Sequence, residues 1–199
     1  MLIIGTGGLA KDIAGNVSKH IDQEQYVFYN NTKDAPDKFL NRYRVINTQS
    51  EAAEYLRLVD SRFTVAVANP LMRMRLNERF KREGGTSHSL MFTDPQSVSA
   101  FLQMESGCII QYNTIISSNT YIGEGVFINC GSVIGHDVII QKYCSFGPGV
   151  RVLGDVEIGE YSYVGTGSII MPGVKIGKKV RIGVGKVVET NIPDNTKWL

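Results

Sequence analysis

A strict repeat of six residues runs through the second half of the chain and constrains the fold more than any other feature. Every sixth residue from Ile110 to Val188 is aliphatic or aromatic, at fourteen positions in succession. The residue two places before each of them is small or valine in thirteen of the fourteen repeats, and Lys186 is the exception. Two phased positions kept without an insertion over this length predict a repetitive solenoid.

The period of six is typical of the flat sides of a β-solenoid. The large side chain of each repeat would fill the interior, and the small residue would lie where the walls converge. Glycine follows the large residue in seven repeats, which suits a turn between sides. Three sides close one coil of eighteen residues, so that residues eighteen apart stack at roughly the 4.8 Å spacing of neighbouring strands. We therefore predict a parallel β-helix over residues 96–199.

The first half of the chain has a different pattern. The runs MLII, QYVFYN and FTVAVAN read as strands, and they alternate with helical patterns that begin near Gly8, Ser50 and Pro70. Ser50 is the expected N-cap of the second helix, and the first helix is expected to continue to Ile21. Such alternation predicts a small, Rossmann-like parallel α/β sheet over residues 1–95.

A glycine-rich turn, GTGGLAK, joins the first predicted strand to the first predicted helix. Gly5 permits a tight turn, and Gly7 and Gly8 let a ligand approach the backbone at the start of the helix. A dinucleotide site would place an acidic residue after the second strand, where this chain has Asn30 and Asn31. The motif therefore favours a phosphate-bearing ligand such as a nucleotide sugar over NAD, although a packing turn without a ligand can have the same sequence.

Composition and charge argue against several classes of protein. The net charge is +2 and forms no basic patch, so we expect no nucleic-acid partner. No apolar run approaches the roughly 18 residues of a membrane span, and the start has no signal-peptide pattern. Cys108, Cys130 and Cys144 are odd in number and lack CxxC spacing, which argues against a disulfide framework or a zinc knuckle and fits a reducing cytoplasm.

One histidine, His136, lies within the repeats, in the stretch GSVIGHDVII. Ile134 and Ile140 take the inward positions, so His136 and Asp137 should form the corner between two sides and face outward. An ordinary surface histidine would look the same. Eighteen residues later stands Gly154, whose bare backbone N–H could donate to an oxyanion. A single histidine cannot supply a three-histidine zinc site, so we expect no metal.

The two halves together resemble the NeuD-type sugar acyltransferases. The resemblance is carried by IGTGGLAK, by INCGSVIGHD and by PGVRVLGDVEIGEYSYVGTGSIIMPGVKIG, and it covers nearly the whole chain. This family includes N-acetyltransferases that act on nucleotide-linked amino sugars and O-acetyltransferases that act on sialic acid. The resemblance implies a left-handed β-helix, a homotrimer with active sites between subunits, acetyl-CoA as co-substrate, and a sugar nucleotide near the N-terminal domain.

The resemblance also implies roles for individual residues. His136 matches the catalytic base, Asp137 matches the acidic residue that orients the ring, and Gly154 matches the N–H donor to the thioester oxygen. The implied acetyl-CoA residues are Ser145, Gly154, Thr166, Gly167 and Gly185, and the implied substrate residues are Gly5, Gly7, Gly8, Lys11, Asn30, Asn31 and Asn129.

The chain departs from the family pattern at three places. Ser145 stands where many members have a second histidine, and Asn30 and Asn31 stand where members often have acidic residues. The tail NIPDNTKWL also falls short of the usual G-x-P-A-K ending. These departures concern the residues that would contact the thioester, the nucleotide base and the end of CoA.

The leading expectation is an N-acetyltransferase of surface polysaccharide or glycan synthesis that moves an acetyl group directly from acetyl-CoA to a sugar amine. Two alternatives stay open. A sialic acid O-acetyltransferase would need a partner for the sugar carboxylate, for which Arg73 and Arg75 are available. A trimer that binds a sugar nucleotide without catalysis would share the same fold.

Overall fold

The computed structural model describes residues 1–18, 26–33 and 35–199. It divides into two compact units, Met1–His88 and Ser89–Leu199. The division lies a few residues before the boundary expected at residue 95, because Leu90–Met91 already pairs with the solenoid strand Ile109–Ile110.

The first unit is built on a six-stranded sheet with the order β3-β4-β2-β1-β5-β6. All of its strand pairs are parallel except β3–β4. Because the chain passes from β1 to β2 and β4 on one side and then returns to β5 on the other, the strand order reverses between β1 and β5, where open α/β sheets bind ligands. The strands are β1 (Leu2–Ile4), β2 (Val27–Tyr29), β3 (Lys38–Phe39), β4 (Tyr43–Ile46), β5 (Arg62–Val65) and β6 (Thr86–Ser87), and the helices are α1 (Gly8–Val17), α2 (Gln49–Leu58) and α3 (Pro70–Arg82).

Side-chain caps begin α2 and α3, and the cap predicted for α2 is wrong. Thr48, and not Ser50, is the N-cap of α2, because its hydroxyl accepts the N–H of Glu51 at 3.3 Å. Asn69 caps α3 in the same way, directly before Pro70. The expected continuation of α1 to Ile21 lies outside the described residues.

The second unit is a ladder of two-residue strands spaced six residues apart over most of its length. It opens with β7 (Leu90–Met91), a 3₁₀ turn at Pro95–Ser97 and β8 (Gln103–Met104). The later strands are β9 (Ile109–Ile110), β10 (Ile115–Ile116), β11 (Tyr121–Ile122), β12 (Phe127–Ile128), β13 (Val133–Ile134), β14 (Ile139–Ile140), β15 (Ser145–Phe146), β16 (Arg151–Val152), β17 (Glu157–Ile158), β18 (Tyr163–Val164), β19 (Ile169–Ile170), β20 (Lys175–Ile176), β21 (Arg181–Ile182), β22 (Val187–Val188) and β23 (Lys197–Trp198).

These strands stack into three parallel sheets, one for each side of the coil. Side 1 has the order β10-β13-β16-β19-β22, side 2 has β8-β11-β14-β17-β20, and side 3 runs from β7 and β9 through β12, β15, β18 and β21 to β23. Partners are eighteen residues apart, as in the series Ile116, Ile134 and Val152. The predicted left-handed parallel β-helix of hexapeptide repeats is confirmed, as is the predicted α/β sheet that precedes it.

The interior of the solenoid follows the two phased positions of the sequence. All fourteen large positions are at most 3% exposed, whereas Lys186, the exception among the small positions, is partly exposed. The buried serines satisfy corner carbonyls, since Ser162 donates to Gly177 O and Ser168 donates to Gly183 O, each at 2.8 Å. Small polar residues are therefore tolerated inside the ladder, because their hydroxyls keep hydrogen-bond partners.

The last coil is two residues shorter than the others. Lys197 pairs with Arg181, and Ile192 pairs with Ile176, each at a spacing of sixteen residues instead of eighteen. The tail NIPDNTKWL therefore continues the strand ladder with a repeat of sixteen residues instead of eighteen.

Candidate active site

His136 and Asp137 lie at the turn between side 1 and side 2, which we call the histidine corner. In successive coils this corner contains Ser118–Asn119, His136–Asp137 and Gly154–Asp155. The side chains of His136 and Asp137 are 64% and 43% exposed. Asn119, Asp137 and Asp155 have φ angles of 58°, 58° and 59°, a left-handed conformation that Asn and Asp adopt more readily than most other residues. The corner turns sharply, and its functional groups face outward as predicted from the repeat.

Hydrogen bonds fix the imidazole of His136 through Asp137. Asp137 Oδ2 lies 2.8 Å from His136 Nδ1, and Asp137 Oδ1 accepts a hydrogen bond from Asn119 Nδ2 at 2.6 Å. The hydrogen bond from Asn119, followed by that from His136, holds the pKa of Asp137 below its ordinary value. An ionised Asp137 accepts the proton of Nδ1, which leaves Nε2 as the nitrogen that can accept a proton from a substrate.

Gly154 lies directly against Cε1 and Nε2 of this imidazole. A Cβ placed on Gly154 would be 2.6 Å from His136 Cε1 and 2.7 Å from Nε2. Within the described part of the chain, the N–H of Gly154 donates no hydrogen bond to the protein. The corner therefore sets a proton acceptor beside a backbone donor, which is what a base and an oxyanion contact require.

The predicted acetyl-CoA residues Thr166, Gly167 and Gly185 lie at another corner, between side 3 and side 1. We call it the glycine corner, because its residues Gly131, Gly149, Gly167 and Gly185 all have φ between 65° and 67°. A Cβ at any of these four positions would meet no atom within 4 Å, so the backbone is open along successive coils. Side 1 separates this corner from the histidine corner, and one chain does not bring the two together.

Two other predicted residues lie away from His136. Ser145 is on side 3, across the coil from the histidine corner, and is only 1% exposed. Its contact with the thioester stays a prediction, and the buried side chain does not support it. Asn129 precedes the glycine corner, and its Oδ1 accepts the N–H of Cys130 at 2.8 Å.

The glycine-rich turn lies at the carboxyl end of β1, in the first unit. Gly5 has φ of 114°, and a Cβ there would lie 3.2 Å from the carbonyl oxygen of Ala66. Gly7 is the N-cap of α1, and a Cβ on Gly7 or on Gly8 would meet no atom within 4 Å. The start of α1 is therefore open to an anion. Lys11, on the same helix, is exposed.

Asn30 holds this turn in place. Its Nδ2 donates to Thr6 Oγ1 at 2.7 Å, and its Oδ1 accepts the N–H of Thr32 at 3.0 Å. Asn31, the next residue, is exposed. The structure thus brings together the turn and the end of β2, as predicted, and it shows that the amide of Asn30 is engaged with the protein.

Arg73 is not available to bind the carboxylate of a sialic acid substrate. Arg73 is only 1% exposed, and its Nη1 donates to the carbonyl oxygens of Val67 at 2.8 Å and Ala68 at 3.0 Å. Its guanidinium supports the loop after β5 and does not lie on the surface. Arg75 is exposed.

Comparison with known proteins identifies the family. Residues 119–154 match the family described as bacterial transferase hexapeptide (six repeats). The chain is 31% identical to the GDP-perosamine N-acetyltransferase of Escherichia coli O157:H7 over 159 residues, which cover 76% of this chain and 69% of that protein. The chain belongs to the NeuD-type family of hexapeptide-repeat sugar acyltransferases. The predicted family and enzyme class are thus confirmed.

Solved structures agree with this assignment. The acetyltransferase domain of PglB from Neisseria gonorrhoeae FA1090, in complex with acetyl coenzyme A, is 25% identical, with a TM-score of 0.85 over 98% of this chain and 93% of that one. WeeI from Acinetobacter baumannii AYE is also 25% identical, with a TM-score of 0.85 over 98% and 94% of the two chains. PerB from Caulobacter crescentus, in complex with CoA and GDP-perosamine, shares the fold at 24% identity, with a TM-score of 0.83 over 97% and 90%.

Two features are absent from the described residues. No helix there is long and apolar enough to cross a membrane. No group of three or more His, Cys, Asp or Glu side chains there could hold a metal ion.

Proposed function

We propose that this acyltransferase moves an acetyl group from acetyl-CoA to the amine of a nucleotide-linked amino sugar, with His136 as the general base. The observation that carries the proposal is the His136 ring, which lies against Gly154 with its Nδ1 bound to Asp137. The curated relative that supports the amine acceptor is named a GDP-perosamine N-acetyltransferase. We place the reaction in surface polysaccharide or glycan synthesis in the cytoplasm, a reducing compartment that suits three cysteines that form no disulfide.

The chemical step follows from the two groups at the corner. As the sugar nitrogen bonds to the thioester carbon, Nε2 of His136 takes a proton from that nitrogen. The carbonyl oxygen becomes negatively charged and accepts the N–H of Gly154. The carbon–sulfur bond then breaks, and the CoA thiolate leaves and takes the proton from His136. Asp137 holds the imidazole throughout and stabilises its charged form.

Acetyl-CoA would lie along the glycine corner, against Thr166, Gly167 and Gly185. Side 1 separates this corner from His136 in one chain, so a complete site needs a neighbouring subunit. The outer face of side 1 is mostly apolar, with Ile115 47% and Val187 52% exposed, and the exposed Arg151 lies at its centre. Exposed apolar side chains of this kind favour association. We propose a homotrimer in which the glycine corner of one subunit faces the histidine corner of the next.

The glycine-rich turn of the first unit would bind the phosphates of the sugar nucleotide. Gly7 and Gly8 leave the start of α1 open, and Lys11 supplies a positive charge on the same helix. Asn31 would contact the nucleoside, while Asn30 holds the turn in shape. Asn129 would contact the sugar.

An amine acceptor is better supported than a hydroxyl. The sialic acid alternative needs a cation for the substrate carboxylate, and Arg73 is buried and bonded to backbone carbonyls. The exposed Arg75 has no feature that distinguishes it from an ordinary surface residue.

The decisive experiment removes the base. In His136→Ala, turnover measured as CoA thiol release should fall by about 10²-fold to 10⁴-fold, the usual contribution of a general base. Binding of acetyl-CoA, measured by calorimetry, should be nearly unchanged, because the glycine corner is untouched. His88→Ala, at an exposed histidine of the first unit, is the matched control. A His136→Ala enzyme with near-normal kcat would refute the assignment, and a native protein that binds no acetyl-CoA would favour the non-catalytic alternative.

A further inference from the structure

Asn119, one coil before Asp137, belongs to the same hydrogen-bonded chain as His136. Its Nδ2 donates to Asp137 Oδ1 at 2.6 Å, and the other oxygen of that carboxylate lies 2.8 Å from His136 Nδ1. Resting on the function proposed above, we propose that Asn119 is a positioning residue. It orients the Asp137 carboxylate toward Nδ1 and so keeps Nε2 free to accept the substrate proton.

Asp137 needs such a restraint because it is exposed. Its side chain is 43% exposed and follows a backbone turn with φ of 58°. A carboxylate in that setting otherwise rotates freely and is solvated by water, which weakens any single hydrogen bond. Among the described residues, the side chain of Asp137 bonds only to Asn119 and His136. Without Asn119, the imidazole would be the sole restraint on the group that has to orient it.

The neighbours in the corner show why an amide is required. One coil after Asp137 stands Asp155, which has the same left-handed conformation and cannot donate a hydrogen bond when ionised. Asn119 combines tolerance of that conformation, at φ of 58°, with an N–H donor. An aspartate at this position would keep the backbone geometry and place a second negative charge against Asp137.

Asn119→Asp is therefore the sharpest single test. We expect kcat to fall by about 10-fold to 100-fold, as happens when the partner that orients a metal-ligating histidine is removed. The KM for acetyl-CoA should stay within about twofold, because that ligand is held elsewhere. Asn195→Asp is the matched control, since Asn195 is exposed, has φ of 59° and lies near the end of the solenoid. An Asn119→Asp enzyme with normal kcat would overturn the inference.

An exchange of the two groups separates positioning from a general structural effect. In the double variant Asn119→Asp/Asp137→Asn, the new carboxylate accepts from the new amide, whose oxygen still accepts from His136 Nδ1. We expect the double variant to be at least as active as Asp137→Asn alone. If the two losses multiply instead, the residues act independently, and the proposed chain is wrong.

A readout without substrate keeps this inference separable from the proposed reaction. Long-range ¹⁵N–¹H NMR of the imidazoles should show the proton of neutral His136 on Nδ1 in the native protein, with a shift toward Nε2 in Asn119→Asp. An unchanged tautomer would overturn the positioning role. If the native enzyme releases no CoA thiol with any nucleotide amino sugar, the proposed reaction fails, and the tautomer measurement still decides the role of Asn119.

Discussion

Gly154→Ala should impair catalysis while leaving the fold almost intact. A Cβ at position 154 would lie 2.6 Å from His136 Cε1, and ordinary contact begins at 3.4 Å. The imidazole must therefore move by roughly 0.8 Å, and a misplacement of about 1 Å in an active site can cost about 100-fold in rate. Gly154 is not in the left-handed conformation, so the backbone itself accepts alanine.

The cost in stability should be small, because the group that has to move is exposed. His136 is 64% exposed and can rotate into solvent without disturbing the ladder. We expect a change of less than about 1 kcal/mol in the free energy of unfolding, which corresponds to a Tm shift of at most about 4 °C for a chain of this size.

The assay pairs steady-state CoA thiol release with thermal unfolding. Gly15→Ala, in α1, is the control, since a Cβ there meets no atom within 4 Å. It should leave kcat/KM unchanged and raise stability slightly, by roughly 0.5–1 kcal/mol. A Gly154→Ala enzyme within threefold of the native kcat/KM would refute the steric argument. A loss of activity accompanied by a large fall in Tm would show that the ladder and not the ring is disturbed.

Two further predictions concern stability. Arg62 donates to Asp60 from Nε at 3.0 Å and from Nη2 at 2.8 Å, and these hydrogen bonds lower the pKa of Asp60 well below its usual 3.8. The pair therefore stabilises the fold above about pH 4, and this stabilisation is lost as the pH falls toward the folded-state pKa of Asp60. In urea unfolding, Asp60→Asn should lower the free energy of unfolding by about 1 kcal/mol at about pH 7 and by less at about pH 3. Equal losses at the two pH values would contradict this role of the pair. Phe146 is 0% exposed, whereas Phe101 is 73% exposed. Phe146→Ala should therefore lower the free energy of unfolding by about 3–5 kcal/mol, and Phe101→Ala by less than about 0.5 kcal/mol. Similar losses for the two variants would contradict the inward position of the Phe146 side chain.

The solenoid was predictable because its signal is repeated. The spacing of Ile116, Ile134 and Val152 already contains the register that the strands adopt. Features that occur once were harder to find. The hairpin β3–β4 turns through Leu40 and Asn41, both with φ of 53°, and contains no glycine to mark it. The cap of α2 is Thr48 and not Ser50, because both are good caps and only the backbone geometry chooses between them.

The site was predictable to the same extent. His136 and Gly154 are eighteen residues apart, so their contact follows from the period. Asn119 is eighteen residues before Asp137, and the same rule could have found it. No periodic rule could show that Arg73 is buried, because its partners are the carbonyls of a single loop.

The histidine corner is built from three consecutive coils whose residues meet only because each coil has the same length. Asn119, Asp137 and Asp155 occupy equivalent places in successive coils, and His136 contacts Gly154 across one of the same steps. An insertion or deletion of one residue shifts each later side chain to the opposite face. Between 119 and 136 it would separate Asn119 from Asp137, and between 137 and 154 it would separate Gly154 from His136. Change at this site is therefore confined to substitution, and differences in length among such enzymes should accumulate outside these coils.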